Sequence, residues 1–247
     1  ANLQGEFEIL TVPGANTYTI EAKAAASSTG NASVTANATY QVNTGAAVSL
    51  FGYGWGAGTW SSGTWGTGGT TLAGMRLWSQ ANFGEDLFFV HRNGALYYWD
   101  ASSGVTTRGV LVSSLGGAAQ VPTVANIAFV SDVFRFAFCF GVNAVGSSAL
   151  DPMLLRWSDQ EDISDWNPTA TNQAGSLSLS EGTEIIQAIQ ARQEILVWTD
   201  SAMYGLQYLG APVVWGATLL GSNITIASPN AAIYSNNIAY WMGTSKF

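Results

Sequence analysis

The sequence predicts an all-β protein, and three observations lead to this prediction. Short segments alternate apolar and polar residues and are bounded by Gly, Asn and Asp, as antiparallel strands are. Aromatic residues are abundant, with 10 Trp, 9 Tyr and 11 Phe in 247 residues, and aromatic and β-branched side chains favour strands. The third observation is a segment ending that recurs, in which an apolar run is followed by Trp and then by Asp.

This ending closes Leu96–Asp100, Leu154–Asp159 and Ile195–Asp200, and Ile238–Gly243 keeps the Trp with Gly in place of Asp. The four Trp residues are separated by 157 − 99 = 58, 198 − 157 = 41 and 241 − 198 = 43 residues. A recurrence of about 40–50 residues built from strands is typical of propeller blades. We therefore expect an incomplete β-propeller with about four blade-like units and an N-terminal β-rich inserted domain.

Residues 1–48 are predicted to form that β-rich N-terminal or insertion domain. Phe7–Val12 and Thr17–Ile20 have strand composition and are joined by the turn Pro13–Asn16. Ala22–Ser28 has strand neighbours, but its Ala content leaves a short helix open as an alternative.

Residues 49–76 are predicted to form a Gly/Trp-rich loop, in which Trp55, Trp60 and Trp65 recur every five residues. Glycine gives the backbone no preferred path, so regular secondary structure is not expected. Exposed indoles on such a loop would promote aggregation. We therefore predict that these three Trp residues pack against their own domain or a neighbouring subunit, as candidates for assembly contacts.

Residues 77–247 are predicted to hold the propeller blades as a series of hairpins. The paired segments are Leu87–Val90 with Leu96–Trp99, Ile127–Val130 with Phe134–Phe140, Glu184–Gln190 with Glu194–Trp198, and Ala231–Tyr234 with Asn237–Trp241. A helix is an alternative for the third pair because Ile185, Ile189 and Leu196 have partial helical spacing. Strands are preferred there because β-branched and aromatic residues dominate.

Charge limits the functions that this chain can have. The net charge is 8 − 16 = −8, and charged residues make up 10% of the chain, compared with about 25% in ordinary domains. A protein that grips nucleic acid needs a basic surface, whereas an acidic or neutral wall lets DNA pass without adhering. Residues 24–75 carry no charge, which suits contact with other protein, although a large aromatic core would also explain the composition.

Few residues are candidates for chemistry. Asp159, Glu161, Asp162 and Asp165 could bind Ca²⁺, but Asp residues that cap turns are the simpler interpretation. His91 is the only histidine and Cys139 the only cysteine, so a His/Cys metal site is not expected. We expect His91 in a solvent-facing turn and Cys139 in a buried strand, with no catalytic residue, no cofactor and no metal.

The sequence after residue 150 resembles that of one protein family. The segments are Trp157-Ser158-Asp159, Asp165–Thr169, Asn172–Gly175, Trp198–Ser201, Tyr208–Pro212, Pro229–Ala231 and Tyr240–Gly243. They are similar to the tail nozzle proteins of short-tailed bacteriophages, also called tail tubular protein B or DNA-stabilisation proteins, and Gly54–Trp60 resembles a segment upstream of the propeller in the same group.

The resemblance implies a structural protein of the virion and no enzyme. It implies a β-propeller subunit of a homohexameric ring below the portal and adaptor proteins. Genomic DNA would be retained and ejected through the axial channel of this ring without sequence-specific binding, and no stable membrane insertion is implied. Two alternatives stay open: a propeller that binds or cleaves glycans, whose carboxylates would converge at one face, and a receptor-binding tail fibre or decoration protein.

Overall fold

The computed structural model describes residues 9–14, 17–21 and 77–244. The chain divides into two compact units, Ala1–Asn43 and Thr44–Phe247. In the first unit, β1 (Ile9–Gly14) and β2 (Thr17–Ile20) form an antiparallel hairpin, which confirms the strands predicted there. The possible helix at Ala22–Ser28 and the predicted loop at residues 49–76 lie outside the described residues.

The described part of the second unit, residues 77–244, contains three antiparallel sheets of four strands and one hairpin. Sheet 1 comprises β3 (Trp78–Phe83), β4 (Asp86–His91), β5 (Leu96–Trp99) and β6 (Val110–Leu111). Sheet 2 comprises β7 (Ala125–Ser131), β8 (Phe136–Asn143), β9 (Leu150–Trp157) and β10 (Gly175–Ser178). Sheet 3 comprises β11 (Ile185–Gln190), β12 (Ile195–Thr199), β13 (Ala202–Gly210) and β14 (Val214–Ser222), and sheet 4 comprises β15 (Ala232–Ser235) and β16 (Ile238–Trp241).

The all-β class is thus confirmed, and within each sheet every strand pairs with the strand that follows it along the chain. The helical alternative for residues 184–198 is wrong, because these residues form β11 and β12. The only helical turns in the described ranges are the short 3₁₀ segments Ala101–Ser103 and Val112–Ser114. Within the same ranges, no helix is long and apolar enough to cross a membrane.

The Trp endings do not mark equivalent places in the four units. Trp99 and Trp157 lie on third strands, whereas Trp198 and Trp241 lie on second strands. The first strands begin at residues 78, 125, 185 and 232, so the structural repeat is 125 − 78 = 47, 185 − 125 = 60 and 232 − 185 = 47 residues. The second interval is longer because the 158–174 connection of sheet 2 extends it.

The sheets pack face to face in chain order, and sheet 2 is buried on both faces. Along β8, Phe136, Phe138 and Phe140 belong to a core cluster that includes residues of sheet 3, while Ala137 and Cys139 belong to a second cluster that includes residues of sheet 1. The period of two places large side chains on one face and small ones on the other. Burial of each Phe contributes about 1.5–3 kcal/mol, and the prediction of a buried Cys139 is confirmed.

Sheet 4 covers the other face of sheet 3. Leu196 and Trp198 of β12 pack with Tyr234 and Trp241 of sheet 4, and the ring centroids of Trp198 and Trp241 are 5.8 Å apart. Three four-stranded meanders and one hairpin thus stack in a row in residues 77–244, and four-stranded sheets are also the repeating unit of propellers.

Candidate assembly surface and first-strand cleft

The four sheets come together at their first strands, which are β3, β7, β11 and β15. β7 contacts both β3 and β11, and β11 contacts β15. Arg92, after β4 in sheet 1, forms an ion pair of 2.8 Å with Glu184, which precedes β11 in sheet 3. Since sheet 2 lies between these sheets in the row, the pair requires the first-strand sides of sheets 1 and 3 to approach each other.

Residues from sheets 1, 2 and 3 and from the loop before β15 line a small cleft at this convergence. The lining includes Trp78, Arg92, Asn126, Gln187 and Asn230, and the cleft holds about 30 Å³ of water-accessible space. Gln187 Oε1 accepts a hydrogen bond from the backbone N–H of Asn230 at 3.2 Å, which ties sheet 3 to the loop before β15. About 10–15 Å³ of such space holds one water molecule, so the cleft has room for a few waters and not for a sugar ring or duplex DNA.

The acidic cluster after β9 caps turns, as the simpler interpretation predicted. Asp159 Oδ1 accepts backbone N–H groups from Gln160 at 2.9 Å and Gln173 at 2.8 Å. Asp162 Oδ1 accepts the Ser164 N–H at 2.8 Å. Among the described residues, no group of three or more His, Cys, Asp or Glu side chains is arranged to hold a metal ion.

The Asp residues of the Trp–Asp endings share this capping role. Asp100 Oδ1 accepts the Ser102 N–H at 2.8 Å, and hydrogen bonds from Ser102 lower the pKa of Asp100. Asp200 Oδ1 accepts the Thr183 N–H and Asp200 Oδ2 accepts the Thr183 hydroxyl, both at 2.7 Å. Desolvation raises the pKa of Asp200, but these hydrogen bonds outweigh it, and the net pKa lies below the ordinary 3.8.

The Asp200→Asn variant is expected to lose stability at neutral pH but not at low pH. A carboxylate whose folded pKa is depressed stabilises the fold above its unfolded pKa, near 3.8, and this contribution disappears as the pH falls through the folded pKa. The difference in the free energy of unfolding between wild type and Asp200→Asn should therefore shrink below about pH 4. Urea unfolding between pH 7 and pH 3 measures this, with exposed Asp132→Asn as the matched control; a difference that is constant with pH would contradict the capping role.

His91 and Cys139 both have packing roles in the fold. The His91 ring is half-buried and meets Trp78 edge-on at 5.6 Å, and it packs so closely on Gly94 that no Cβ would fit there. The expectation of a solvent-facing His91 is therefore wrong, because the ring covers the turn that it precedes. Burial raises the pKa of the Cys139 thiol, with a smaller opposing effect from Arg156, so this thiol is a core group.

Carboxylates are concentrated at one end of the row of sheets. In an antiparallel meander, the connections from first to second and from third to fourth strand lie at the same end. The residues of these connections include eight carboxylates, at Glu85, Asp100, Asp132, Asp159, Glu161, Asp162, Asp165 and Glu194, and three arginines, at Arg108, Arg135 and Arg192. The described connections at the opposite end carry three carboxylates, Glu181, Glu184 and Asp200, and one arginine, Arg92.

The segment from Ser201 to Thr244 carries no charged residue. It forms the outer half of sheet 3 and all of sheet 4, and its large apolar side chains are 44–64% exposed at Leu209, Val213, Leu219, Leu220, Ile233, Ile238, Tyr240 and Met242. We call these eight residues the uncharged surface. Sequence reasoning missed this surface, although the run of 44 residues without charge, 244 − 200, was a visible signal.

The other predicted contact residues, Trp55, Trp60 and Trp65, lie outside the described part of the chain, so their role stays a prediction. The uncharged surface has the composition of a protein–protein contact, because interface cores are depleted of charge and exposed apolar patches mark contacts. No protein-family model and no curated protein matches this chain.

Proposed function

We propose that this chain is a structural subunit of the tail nozzle of a short-tailed bacteriophage, forming part of the wall of the channel that retains and ejects the genome. The observation that carries the proposal is the uncharged surface in a chain of net charge −8. Acidic copies repel one another, so a surface free of charge is where they can meet. The stacked sheets supply a rigid body, and the resemblance of residues 157–243 to the nozzle family supplies the context.

The channel in this proposal runs between subunits. The first-strand cleft, with about 30 Å³ of water-accessible space, is too small for duplex DNA, so the proposed path does not run through it. A ring of copies, six in the nozzle family, would enclose it, and the portal, the adaptor and other tail proteins would be the neighbours in the virion. We further propose that the row of sheets is part of a closed β-propeller.

The proposed mechanism is mechanical and electrostatic, and it needs no catalytic residue or cofactor. The end of the row with eight carboxylates is the part of the wall best suited to face DNA. Phosphates are repelled by carboxylates, and no arginine-rich track offers them a place to adhere. DNA would then pass without stable or sequence-specific binding.

Imaging the purified chain by electron microscopy tests the proposal. The expected result is ring-shaped particles with six-fold symmetry and a central opening wide enough for duplex DNA. Particles with three-fold symmetry would favour the tail-fibre alternative. A chain that stays monomeric at high concentration and binds or cleaves glycans would overturn the proposal in favour of the glycan-active propeller.

Reversing charge at the acidic end is expected to make the chain retain DNA. The triple variant Asp132→Lys, Asp162→Lys, Glu194→Lys should bind duplex DNA at low salt, with an affinity that falls steeply as salt rises, because released counterions drive such binding. A filter-retention assay measures this against wild type. The matched control is the triple variant with Asn, Asn and Gln, which removes charge without reversing it; wild-type binding as strong as that of the Lys variant would contradict a non-adhesive wall.

A further inference from the structure

The first-strand cleft is lined by side chains that carry hydrogen-bond donors and one positive charge. Arg92 contributes a guanidinium, Asn126 and Gln187 contribute amides, and Trp78 contributes an indole. A guanidinium and an indole N–H can only donate, whereas an amide donates through its nitrogen and accepts through its oxygen. The orientation of the two amides therefore decides what the cleft can bind.

Both amide oxygens are already occupied by backbone N–H groups. Asn126 Oδ1 accepts a hydrogen bond from the N–H of Asn93 at 3.3 Å, and Gln187 Oε1 accepts one from the N–H of Asn230 at 3.2 Å. Because a backbone N–H can only donate, these bonds fix which end of each amide is the oxygen. The Nδ2 group of Asn126 and the Nε2 group of Gln187 are thus donors, and neither has an acceptor within residues 77–244.

Asn126 is the most enclosed of these side chains. It is 7% exposed, and its Nδ2 lies so close to Gly141 that a Cβ added there would be 2.9 Å away. The unpaired Nδ2 is nevertheless not among the polar atoms that are sealed from solvent, and the cleft that Asn126 lines contains water-accessible space. A buried donor without a partner is costly, so an acceptor in the cleft would stabilise this group.

Arg92 gives the cleft its charge. Its Nη2 donates to Glu184 at 2.8 Å, which uses one of the five N–H groups of the guanidinium. Glu184 does not line the cleft, and among the described lining residues Arg92 is the charged one. The cleft therefore offers a cation and neutral donors to a ligand, and this combination favours an anion.

The size of the cleft limits which anion can enter. Its water-accessible space of about 30 Å³ corresponds to about two or three water molecules. A carboxylate group has this size, and its two oxygens match the planar fork of a guanidinium. We infer that the first-strand cleft binds a single carboxylate group, with Arg92, Asn126 and Gln187 as its donors. The inference goes beyond the proposed function and does not depend on it, because all three donors belong to one copy of the chain.

Titration of the full chain with sodium formate, followed by NMR of the side-chain NH₂ signals, tests the inference. The signals of Asn126 and Gln187 should shift together and saturate with one dissociation constant. Sodium chloride at equal ionic strength should bind at least tenfold more weakly, because a spherical ion cannot make the two parallel bonds of a carboxylate.

A blocked tripeptide with one central glutamate distinguishes two sources of the carboxylate. Tighter binding of the tripeptide than of formate would identify an acidic side chain of a partner protein as the ligand. Equal or weaker binding would identify a free small acid, and either result supports the site.

The Gln187→Glu variant removes one donor and keeps the contact that orients it. The new carboxylate would still accept the N–H of Asn230, but it would repel a bound anion, so the affinity for formate should fall at least tenfold. The matched control is Gln120→Glu, which adds the same charge at an exposed position outside the cleft and should bind formate like wild type. Near-UV circular dichroism verifies that each variant is folded.

Arg92→Lys provides a second variant, which keeps the charge and loses the fork. Its affinity for formate should lie between those of wild type and Gln187→Glu. NH₂ signals that do not move with formate, equal affinity for chloride, or wild-type affinity in folded Gln187→Glu would each overturn the inference. None of these results bears on whether the chain forms rings.

Discussion

Replacing Arg156 with Ala is expected to lower the free energy of unfolding by roughly 3–5 kcal/mol, because buried groups that lose hydrogen-bond partners cost about 1–3 kcal/mol each. The Arg156 side chain is 1% exposed. Its guanidinium donates to the carbonyl oxygens of Asn143 at 3.2 Å, Gln120 at 2.6 Å and Trp166 at 2.9 Å. Truncation to Ala would leave these three carbonyl oxygens without a donor beside a cavity. It would also release from sheet 2 the two loops that contain Gln120 and Trp166.

Chemical denaturation of Arg156→Ala measures the loss, and two further variants make the result interpretable. Arg135→Ala removes an exposed ion pair with Glu161 at 3.4 Å and should cost less than about 1 kcal/mol. Arg156→Lys should fall between Arg156→Ala and wild type, because a compact ammonium cannot reach three carbonyls as a planar guanidinium does. A loss below 1 kcal/mol for Arg156→Ala would show that the guanidinium does not hold the loops.

Replacing Trp215 with Ala is expected to cost about 3–5 kcal/mol, the usual range for deleting a buried aromatic ring. Trp215 is 2% exposed and stands edge-on to Phe134, Phe136 and Phe138, with ring centroids 5.5, 5.6 and 5.0 Å away. Edge-to-face geometry adds about 0.5–1.5 kcal/mol per pair beyond burial. The indole therefore joins the last strand of sheet 3 to the phenylalanine face of sheet 2.

Trp215→Phe distinguishes ring packing from hydrogen bonding at this position. The buried Nε1 atom of Trp215 has no hydrogen-bond partner. Trp215→Phe should therefore lower the free energy of unfolding by less than half as much as Trp215→Ala does. Thermal and urea unfolding of the three proteins give this comparison, with Val133→Ala as an exposed control. Equal losses for Phe and Ala would mean that the indole N–H, through the faces of its aromatic neighbours, contributes more than the packed rings do.

The hairpins could be predicted because their signals are local. Alternating apolar residues and turn residues with positive φ lie within a few positions of each other, as at Asn93 with φ 59° and Asn236 with φ 50°, where Asn tolerates the left-handed region. The capping role of Asp162 was also local, because its partner Ser164 is two residues away.

The parts that could not be predicted depend on residues far apart in the chain. Whether a Trp ends a second or a third strand is decided by pairing across the sheet, so Trp99 and Trp198 looked equivalent. The convergence of the sheets rests on Arg92 and Glu184, which are 92 residues apart. The uncharged surface was missed because the absence of charge over residues 201–244 is not a motif. The exposure of apolar side chains such as Leu219 and Ile238, which identifies this segment as a surface, is seen only in the structure.

The ion pair of Arg92 and Glu184 gives the row of sheets a second route for mechanical load. Tension applied to sheet 1 reaches sheet 3 through the apolar packing of sheet 2, and also directly through this pair. Side chains that are 30% and 40% exposed are screened by salt, whereas apolar packing is not. The stiffness of the body against shear should therefore soften as ionic strength rises, while its resistance to unfolding changes little.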